Sequence, residues 1–282
     1  MEELRLYAIV FRMAALRSGA IPADHGDIAR AALLNLIRRG DAALATTIHD
    51  LNMQKPYTIS LVEGGKIGSD GAHHFGEGDT VDWRFSLLRE PAFEALLRRY
   101  LTDNTLPHVR LGAVRFGVTD IFASGSHPNS GHTSLSELYD HWNRPPETLP
   151  RHLTLEFRSP TAFNLGTDNT SRYFQAMPEP RLIFSSLRKK WLRLGGVAPE
   201  DDFDEWVGRY VNAEPLNLST RTVHIERVPI SGFMGKVRFR VRGENIRWLP
   251  VLHLLADFAF WAGIGYQTTR GMGQVRCVES FD

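Results

Sequence analysis

Four cations on one predicted strand are the residues with the clearest chemical meaning. The stretch KVRFRVR covers residues 236–242, and strand side chains alternate between two faces. Val237, Phe239 and Val241 therefore share one face, and the cations share the other: Lys236, Arg238, Arg240 and Arg242. Like charges in register repel one another, and no acid interrupts them along this strand. A polyanion across this face would relieve the repulsion, so we predict a phosphate-backbone ligand here, with a plain solvated sheet surface as the alternative interpretation.

A second basic cluster lies on the predicted helix SSLRKKWLRL. Its cations include Arg188, Lys189 and Lys190. We predict that these three also bind the polyanion, with a solvated helix face as the alternative interpretation.

A glycine-rich loop, GIGYQTTRGMGQVR at residues 263–276, precedes the last predicted strand. It holds two Gly-x-Gly pairs and one cation: Gly263, Gly265, Gly271, Gly273 and Arg270. The loop lacks the Lys-Ser or Lys-Thr ending of a P-loop, and no strand leads into it as in a dinucleotide-binding fingerprint. We expect glycines that let the backbone approach a ligand, with free N–H groups and Arg270 beside it. The alternative is a flexible hairpin.

The order of predicted elements places these residues in the second of two similar halves. The first half predicts a strand at 4–11, a helix capped by Asp24 or Asp27 and ending near Arg39, a helix from Asp41 to His49, strands at 57–62 and 80–88, a helix at 91–102 and a strand at 108–122. The second predicts a strand at 152–158, helices at 180–194 and 200–211, strands near 221–228 and 234–242, a helix at 246–262 and a strand at 273–279.

Both halves thus read β-α-β-β-α-β, which is the order of a ferredoxin-like fold. Residues 126–150 are rich in Ser, Gly, Pro and Asn, and this composition is typical of a linker. We therefore predict an α+β protein of two tandem ferredoxin-like (RRM-like) domains, at residues 1–125 and 151–282, with the glycine-rich loop near the C-terminus.

The amino-acid composition limits the class of protein and the cellular compartment that the sequence fits. The 282 residues are 43% hydrophobic and 23% charged, with a net charge of +1, as in a globular protein. Cys277 is the only cysteine, so an intrachain disulfide and a cysteine-based zinc site are excluded. The apolar window at 246–262 contains Pro250, His253 and Asp257, which favours a buried helix over a membrane span. The sequence predicts a cytoplasmic protein without a membrane partner.

Several stretches resemble one family. GIGYQTTRGMG is similar to the C-terminal glycine-rich signature of the CRISPR-associated RAMP superfamily. Within it, LATTIHDLNMQKPYTIS at 44–60 resembles the segment that carries a helix-ending histidine followed by Lys-Pro-aromatic in the endoribonucleases that cut precursor CRISPR RNA at its repeats. LTLEFRSPTAF (153–163), PEPRLIFSSLRKKW (178–191) and ISGFMGKVRF (230–239) also resemble family blocks.

The resemblance implies a metal-independent, cofactor-free endoribonuclease with His49 as the proton-transfer group. An imidazole with an ordinary pKa near 6.5 exists in both protonation states near neutral pH. Lys55 would place a fixed positive charge near the scissile phosphate. Attack by the ribose 2′-hydroxyl would leave a 2′,3′-cyclic phosphate and a 5′-hydroxyl. Without the resemblance, a histidine at a helix C-terminus would be interpreted as favouring the helix dipole.

The chain departs from some relatives at one position. Those relatives place a tyrosine on the preceding helix, where this chain has Leu34. Tyr57, beside Lys55, is the candidate replacement, although an aromatic residue at that point is also typical of a strand core. His73 and His74 are predicted loop residues, because no third ligand has suitable metal-binding spacing.

The expected partners are CRISPR repeat RNA, bound across a positive cleft between the two domains, and a CRISPR interference complex that receives the guide RNA. Some relatives dimerise, and the sequence leaves the oligomeric state open. Two alternatives stay open: a non-catalytic RAMP subunit that holds guide RNA in an effector complex, and an unrelated metabolic enzyme with a nucleotide pocket.

Overall fold

The chain divides into two units that are discontinuous in sequence. The computed structural model describes residues 4–51, 55–103, 106–167, 172–197, 202–226 and 228–278, and for 99–103 the backbone alone. The first unit comprises residues 4–133 and 269–271; the second comprises 134–268 and, among the described residues, 272–278. The boundary between 133 and 134 lies inside the segment that the sequence predicted as a linker.

The first unit is built around an antiparallel sheet. Its elements are β1 (Arg5–Ala15), β2 (Gly19–Pro22), α1 (Gly26–Gly40), α2 (Ala42–Asp50), β3 (Tyr57–Ile59), β4 (Lys66–Ile67), β5 (Ala72–Phe75), β6 (Thr80–Leu87), α3 (Glu90–Asp103), β7 (His108–Leu111), β8 (Val114–Phe122) and β9 (Gly131–Ser134). The strand order is β3-β6-β1-β8-β7, and β9 pairs with β1. The alternation of β1 explains the sheet, since Ile9, Phe11 and Met13 all enter the core of this unit.

The two consecutive helices α1 and α2 begin differently from each other. The helix α2 was predicted to start at Asp41, and this residue caps it, because its carboxylate accepts the Leu44 N–H at 2.8 Å. Neither Asp24 nor Asp27 caps α1, so that prediction is wrong. The helix begins at Gly26 after His25, and Asp27 lies in the first turn.

Two segments of the first unit hold more structure than the sequence predicted. The glycine-rich connection after β3 contains β4 and β5, which form a three-stranded sheet with β2. The single strand predicted at 108–122 is the hairpin β7–β8, because the chain turns at Gly112, whose φ is +59°.

The second unit is built around a four-stranded sheet. Its elements are α4 (Leu135–Trp142), a 3-10 turn (Pro146–Thr148), β10 (His152–Thr161), β11 (Phe163–Thr167), β12 (Arg172–Gln175), α5 (Pro180–Arg193), α6 (Phe203–Tyr210), β13 (Val211–Ile225), β14 (Val228–Val241), α7 (Leu249–Ala262) and β15 (Val275–Val278). A 3-10 turn (Thr268–Arg270) lies between α7 and β15, and its last two residues belong to the first unit. The sheet order is β13-β14-β10-β15, and each neighbouring pair is antiparallel. Residues 200, 201, 227 and 279 of the predicted elements lie outside the described residues.

The apolar face of β14 packs as its alternation predicts. Val237, Phe239 and Val241 are buried, and the Phe239 ring meets Phe184 of α5 edge to face, with 5.4 Å between centroids. The four cations of β14 are consequently on the opposite, polar face of this sheet.

The predicted linker is ordered rather than a plain connection. Residues 131–134 form β9, and α4 follows directly. A capping box starts α4: the Ser134 hydroxyl accepts the Glu137 N–H, and the Glu137 carboxylate accepts the Ser134 N–H.

Candidate functional site

His49 is held in the last turn of α2 with its ring open to solvent. Its side chain is 55% exposed, and Nδ1 lies 2.9 Å from the Asp50 carboxylate. An ionised carboxylate accepts hydrogen bonds, so this contact places the proton of the neutral ring on Nδ1. Among the described residues, Nε2 has no partner and is the nitrogen that can exchange a proton with a substrate.

Lys55 closes the end of the same helix. Its ammonium donates to the carbonyl oxygens of Ile48 at 3.0 Å, His49 at 2.6 Å and Leu51 at 2.5 Å. These are acceptors that a helix C-terminus otherwise leaves without an intrahelical partner. Lys55 therefore fixes the backbone that carries His49 and sets its positive charge beside that residue, with all three of its donors engaged.

Burial lowers the pKa of Lys55, and the positive charge of Arg30 on α1 lowers it further, against an opposing effect of Asp50. Arg30 was not singled out from the sequence. It lies one helical turn before Leu34, and that spacing is the signal that could have found it. Leu34 itself is buried at 7% exposure and packs in the core of the first unit.

Tyr57 is not available as the replacement for the missing tyrosine, so that prediction is wrong. The ring is 1% exposed and belongs to the hydrophobic core. Burial raises the pKa of its phenol. A hydroxyl group enclosed in this way cannot donate a proton to a ligand in solvent.

The polar face of the second sheet carries the predicted cations and two acids that the sequence prediction did not place there. Strand register sets Glu156 of β10 beside Lys236, and Glu214 of β13 beside Arg238. Glu214 accepts hydrogen bonds from Arg240 and Arg242, both at 3.1 Å. The expectation of a ladder without interleaved acids is therefore wrong, because the acids come from neighbouring strands.

A fifth cation joins this face. Arg276 of β15 donates to Glu156 at 2.7 Å, and the Lys236 ammonium lies 3.9 Å from the other oxygen of that carboxylate. Five cations thus face two carboxylates, and the face keeps a positive excess. We call this set of seven side chains the basic sheet face. Arg276 alternates with buried Val275, and that pattern was readable in the sequence.

The three cations of α5 that were predicted to bind the polyanion have three different environments. Arg188 is 16% exposed and pairs with Asp204 at 3.4 Å, whereas Lys189 is exposed. Lys190 is buried and donates to the carbonyl oxygens of Ala262 at 3.0 Å and Gly263 at 2.8 Å. The predicted role of Lys190 as a direct polyanion contact is wrong, because its ammonium closes the C-terminus of α7.

The glycines of the loop are required by close approach within the protein. Gly263, Gly265, Gly271 and Gly273 all have positive φ, between +61° and +91°. A Cβ at Gly273 would lie 2.0 Å from the Ile264 carbonyl oxygen, and one at Gly265 would lie 2.5 Å from that of Ala162. Ile264 and Met272, the apolar centres of the two pairs, are buried.

The expectation of free N–H groups is wrong for three of these glycines. The N–H groups of Gly263 and Gly273 donate to the carbonyl oxygens of Ala259 and Pro160. That of Gly265 donates to the Ser186 hydroxyl at 3.3 Å.

Arg270 is also committed within the protein. Its side chain is 11% exposed and pairs with Asp27 in the first turn of α1 at 2.9 Å. Its carbonyl oxygen would lie 2.0 Å from a Cβ at Gly26. Arg270 is the cation that the sequence predicted beside a ligand, but its charge is paired with the acid Asp27.

The remaining histidines separate by environment. His73 and His74 lie on β5 rather than in a loop, and the His74 ring pairs with Asp70 at 3.0 Å. His253 is buried with Nε2 2.9 Å from the Pro150 carbonyl oxygen, as expected for a core histidine. No three His, Cys, Asp or Glu side chains of the described residues are grouped to hold a metal ion. Of the described helices, none has the length and apolar character to cross a membrane.

Comparison with known proteins gives sequence matches over parts of the chain. The model of the CRISPR-associated endoribonuclease Cas6 family matches residues 155–275. A CRISPR-associated endoribonuclease Cas6 from Streptococcus thermophilus is 29% identical over 133 residues, 46% of this chain and 52% of that protein. One from Mycobacterium tuberculosis (strain CDC 1551 / Oshkosh) is 25% identical over 198 residues, 70% of this chain and 59% of that protein. The chain therefore spans little more than half the length of these curated relatives.

Solved structures match over nearly the whole chain. A Cas6 product complex is 26% identical, with a TM-score of 0.73, and the match covers 98% of this chain and 100% of that one. A histidine-to-alanine mutant and a substrate-mimic complex of the same Cas6 are each 25% identical, with TM-scores of 0.69 and the same coverage.

Proposed function

We propose that the chain is a member of the Cas6 family of CRISPR-associated, RAMP-type proteins, which it resembles in sequence and fold, and that it is an endoribonuclease that cuts precursor CRISPR RNA within the repeats. The observation that carries this proposal is the exposed imidazole of His49, with one nitrogen paired to Asp50 and the other open. The reaction releases mature guide RNA, with the repeat supplying both the nucleophile and the scissile bond.

The chemistry is a transesterification that needs no obligatory metal. His49 Nε2 takes the proton of a ribose 2′-hydroxyl, and the 2′-oxygen forms a bond to phosphorus. The bond from phosphorus to the 5′-oxygen breaks, and that oxygen takes a proton from solvent. The products are a 2′,3′-cyclic phosphate upstream and a 5′-hydroxyl downstream.

Lys55 supports this step through its position. Its three hydrogen bonds to carbonyl oxygens hold the end of α2, and its charge lies next to His49. A fixed charge near the phosphate stabilises the extra negative charge of the transition state without reorganisation during the reaction. Tyr57 has no part in the proposed mechanism because it is buried.

The basic sheet face binds the RNA backbone. Its five cations exceed its two carboxylates, and Lys236 and Arg242 have side chains 51% and 60% exposed. For single strands, each phosphate contact lowers the logarithm of the binding constant by roughly 0.7 for a tenfold rise in salt. Lys189 is an additional exposed cation that contacts the RNA backbone. The glycine-rich loop contributes to RNA binding through its shape.

We propose that each unit is a ferredoxin-like domain. In the first, β1, β3, β6 and β8 are the four strands of the motif, and α1 and α3 follow its first and third strands. In the second, β10, β13, β14 and β15 take the same places in the sheet order. Both orders place the first and third strands at the centre, as the motif requires.

The proposed setting is the cytoplasm, where Cys277 stays reduced and the guide RNA passes to an interference complex.

Mass measurement in solution tests the dimerisation that the resemblance implies for some relatives. A non-catalytic RAMP subunit is the second candidate function; in that case the contact of His49 with Asp50 at the end of α2 has a structural role only.

The decisive experiment is end-group analysis of repeat RNA incubated with the purified protein in EDTA. We expect discrete fragments with cyclic phosphate and 5′-hydroxyl ends. RNA that is retarded in a gel but uncut would support the binding subunit. RNA that is neither cut nor bound would overturn both proposals.

A further inference from the structure

A groove on the first unit, whose lining does not include His49, Asp50 or Lys55, has the composition of an anion site. It lies between the C-terminal half of α1 and the edge strand β7 and has a volume of about 320 Å³. Its floor is apolar, with Ala32, Leu36 and Val109 all buried. The volume falls at the lower end of the range for small-ligand sites, roughly 300–1,000 Å³.

Two guanidinium groups line the groove with their Nε atoms already fixed. Arg39 donates from Nε to the Asn35 side-chain oxygen at 3.1 Å, and one of its terminal nitrogens donates to the His108 carbonyl oxygen at 3.4 Å. Arg110 donates from Nε to the Gly112 carbonyl oxygen at 2.9 Å. These bonds orient the guanidinium planes, and they leave further terminal N–H groups to point at a ligand. A guanidinium group oriented in this way binds a phosphate through two parallel hydrogen bonds.

The cations of the groove are not neutralised by acids. Among the described residues, no carboxylate pairs with the groove cations Arg39 and Arg110, or with Arg115 beside them, in contrast to the cations of the basic sheet face. Arg110 and Arg115 are direct partners across the β7–β8 hairpin. Like charges that face each other across two strands destabilise a sheet, and a bound anion would remove that cost.

We propose that this groove binds one phosphodiester and its adjoining base in a single-stranded segment of the RNA substrate. Arg39 and Arg110 hold the phosphate, and the exposed His108 and the apolar floor receive the base. Recognition of splayed bases on such surfaces is usual for single-stranded RNA. The inference rests on the proposed function for the identity of the RNA, and it adds a binding site that is separate from the basic sheet face.

The test compares two double variants that each remove two exposed positive charges from the first unit. Arg39→Gln/Arg110→Gln removes the groove cations, and Arg17→Gln/Arg98→Gln is the matched control. The probe is repeat RNA with 2′-O-methyl groups throughout, which lacks the nucleophile and so stays uncut in every variant. Binding is measured in the full-length protein over a series of salt concentrations.

We expect the groove variant to bind about tenfold more weakly than the control and to lose about 0.7 from the slope of log binding constant against log salt, because the two arginines hold one phosphate. Arg39→Lys/Arg110→Lys should restore the slope, which separates charge from misfolding. Equal affinity of groove variant and control would overturn the proposal. Micromolar competition by a nucleoside monophosphate would also overturn it, by assigning the groove to a free nucleotide.

Failure of the proposed nuclease function would give a different experimental result from failure of the groove proposal. Unmodified RNA that stays uncut by the parent protein would refute the nuclease, whereas the affinity difference between the two double variants would still report on the groove.

Discussion

Two histidines of the first unit stand at helix ends and differ in what their rings can do. His25, before α1, is 0% exposed; Nδ1 lies 2.9 Å from the Pro22 carbonyl oxygen, and Nε2 accepts the Val62 N–H at 3.0 Å. Burial lowers its pKa to about 4. His49 is exposed and has one nitrogen paired, to Asp50. A reactive imidazole must keep one nitrogen for the substrate, and the contrast identifies which of the two has a structural role.

The same contrast separates two neighbouring lysines of α5. Lys190 is buried against two carbonyl oxygens, and burial, with a smaller effect of Arg193, lowers its pKa to about 7. Lys189, the preceding residue, is exposed. Residue type alone gives both the same expected role, and the direction of each side chain decides between them.

The largest expected effect is on cutting. Replacing His49 with alanine should reduce the single-turnover cleavage rate about 10³-fold, since general acid–base catalysis contributes roughly 10²–10⁴. RNA affinity should stay within a few fold, because the ring is outside the basic sheet face. The measurement is the rate in EDTA at saturating protein. If His49→Ala cuts RNA at the parental rate, the distinction between a reactive His49 and a structural His25 is wrong.

The second effect is on folding and concerns His25. His25→Ala should lower the free energy of unfolding by about 2 kcal/mol, because the buried Val62 N–H and Pro22 carbonyl lose their partner. Urea denaturation of His25→Ala and of His49→Ala gives the test. We expect His49→Ala to change stability by no more than about 0.5 kcal/mol, as for an exposed site. Equal losses would show that the two rings are not distinct in role.

Lowering the pH should also show that the buried His25 is neutral in the folded protein. The folded-state pKa of His25, about 4, lies below its ordinary value of 6.5, so the unfolded chain binds more protons between these values. Stability is therefore present above pH 6.5 and is lost as the pH falls toward 4, by at most about 1.4 kcal/mol per pH unit. His25→Gln should show a smaller acid loss than the parent. Parallel pH profiles would argue against a buried neutral imidazole.

The smallest expected effect is on RNA affinity and concerns the two arginines, Arg240 and Arg242, whose charge is partly neutralised by Glu214. Glu214→Gln removes the acceptor charge of Arg240 and Arg242, so RNA affinity should rise about three- to fivefold, corresponding to the upper end of roughly 0.2–1 kcal/mol for exposed ion pairs. Fluorescence anisotropy at two salt concentrations measures the change. Glu244→Gln, at an exposed acid just beyond β14, is the matched control. A decrease in affinity would mean that Glu214 orients the arginines for binding.

The fold was largely predictable because its signals are local. Alternation located β1 and β14, and the predicted start of α2 at Asp41 agrees with its N-cap. The small sheet of β2, β4 and β5 was missed because strands of two to four residues carry too little periodicity. The capping box Ser134–Glu137, which starts α4 inside the predicted linker, was also readable in the sequence.

The site was less predictable because its partners are distant in sequence. Register brings Glu156 and Glu214 beside the cations of β14, and the fold brings Asp27 beside Arg270; none of these pairings is visible in a local pattern. Lys190 is different. It lies at helical spacing from buried Ile183 and Leu187, so the apolar stripe of α5 already placed it toward the core.

The discontinuity of the first unit has a consequence for how the chain is made. Residues 269–271, which include Arg270 and so the ion pair to Asp27, belong to that unit although they follow the whole of α7. At about 5–20 residues per second, a ribosome needs roughly 7 to 28 seconds after Thr133 to deliver them. During that interval the nascent first unit lacks the arginine that pairs with its first helix, and it acquires this residue only after α7 has been synthesised.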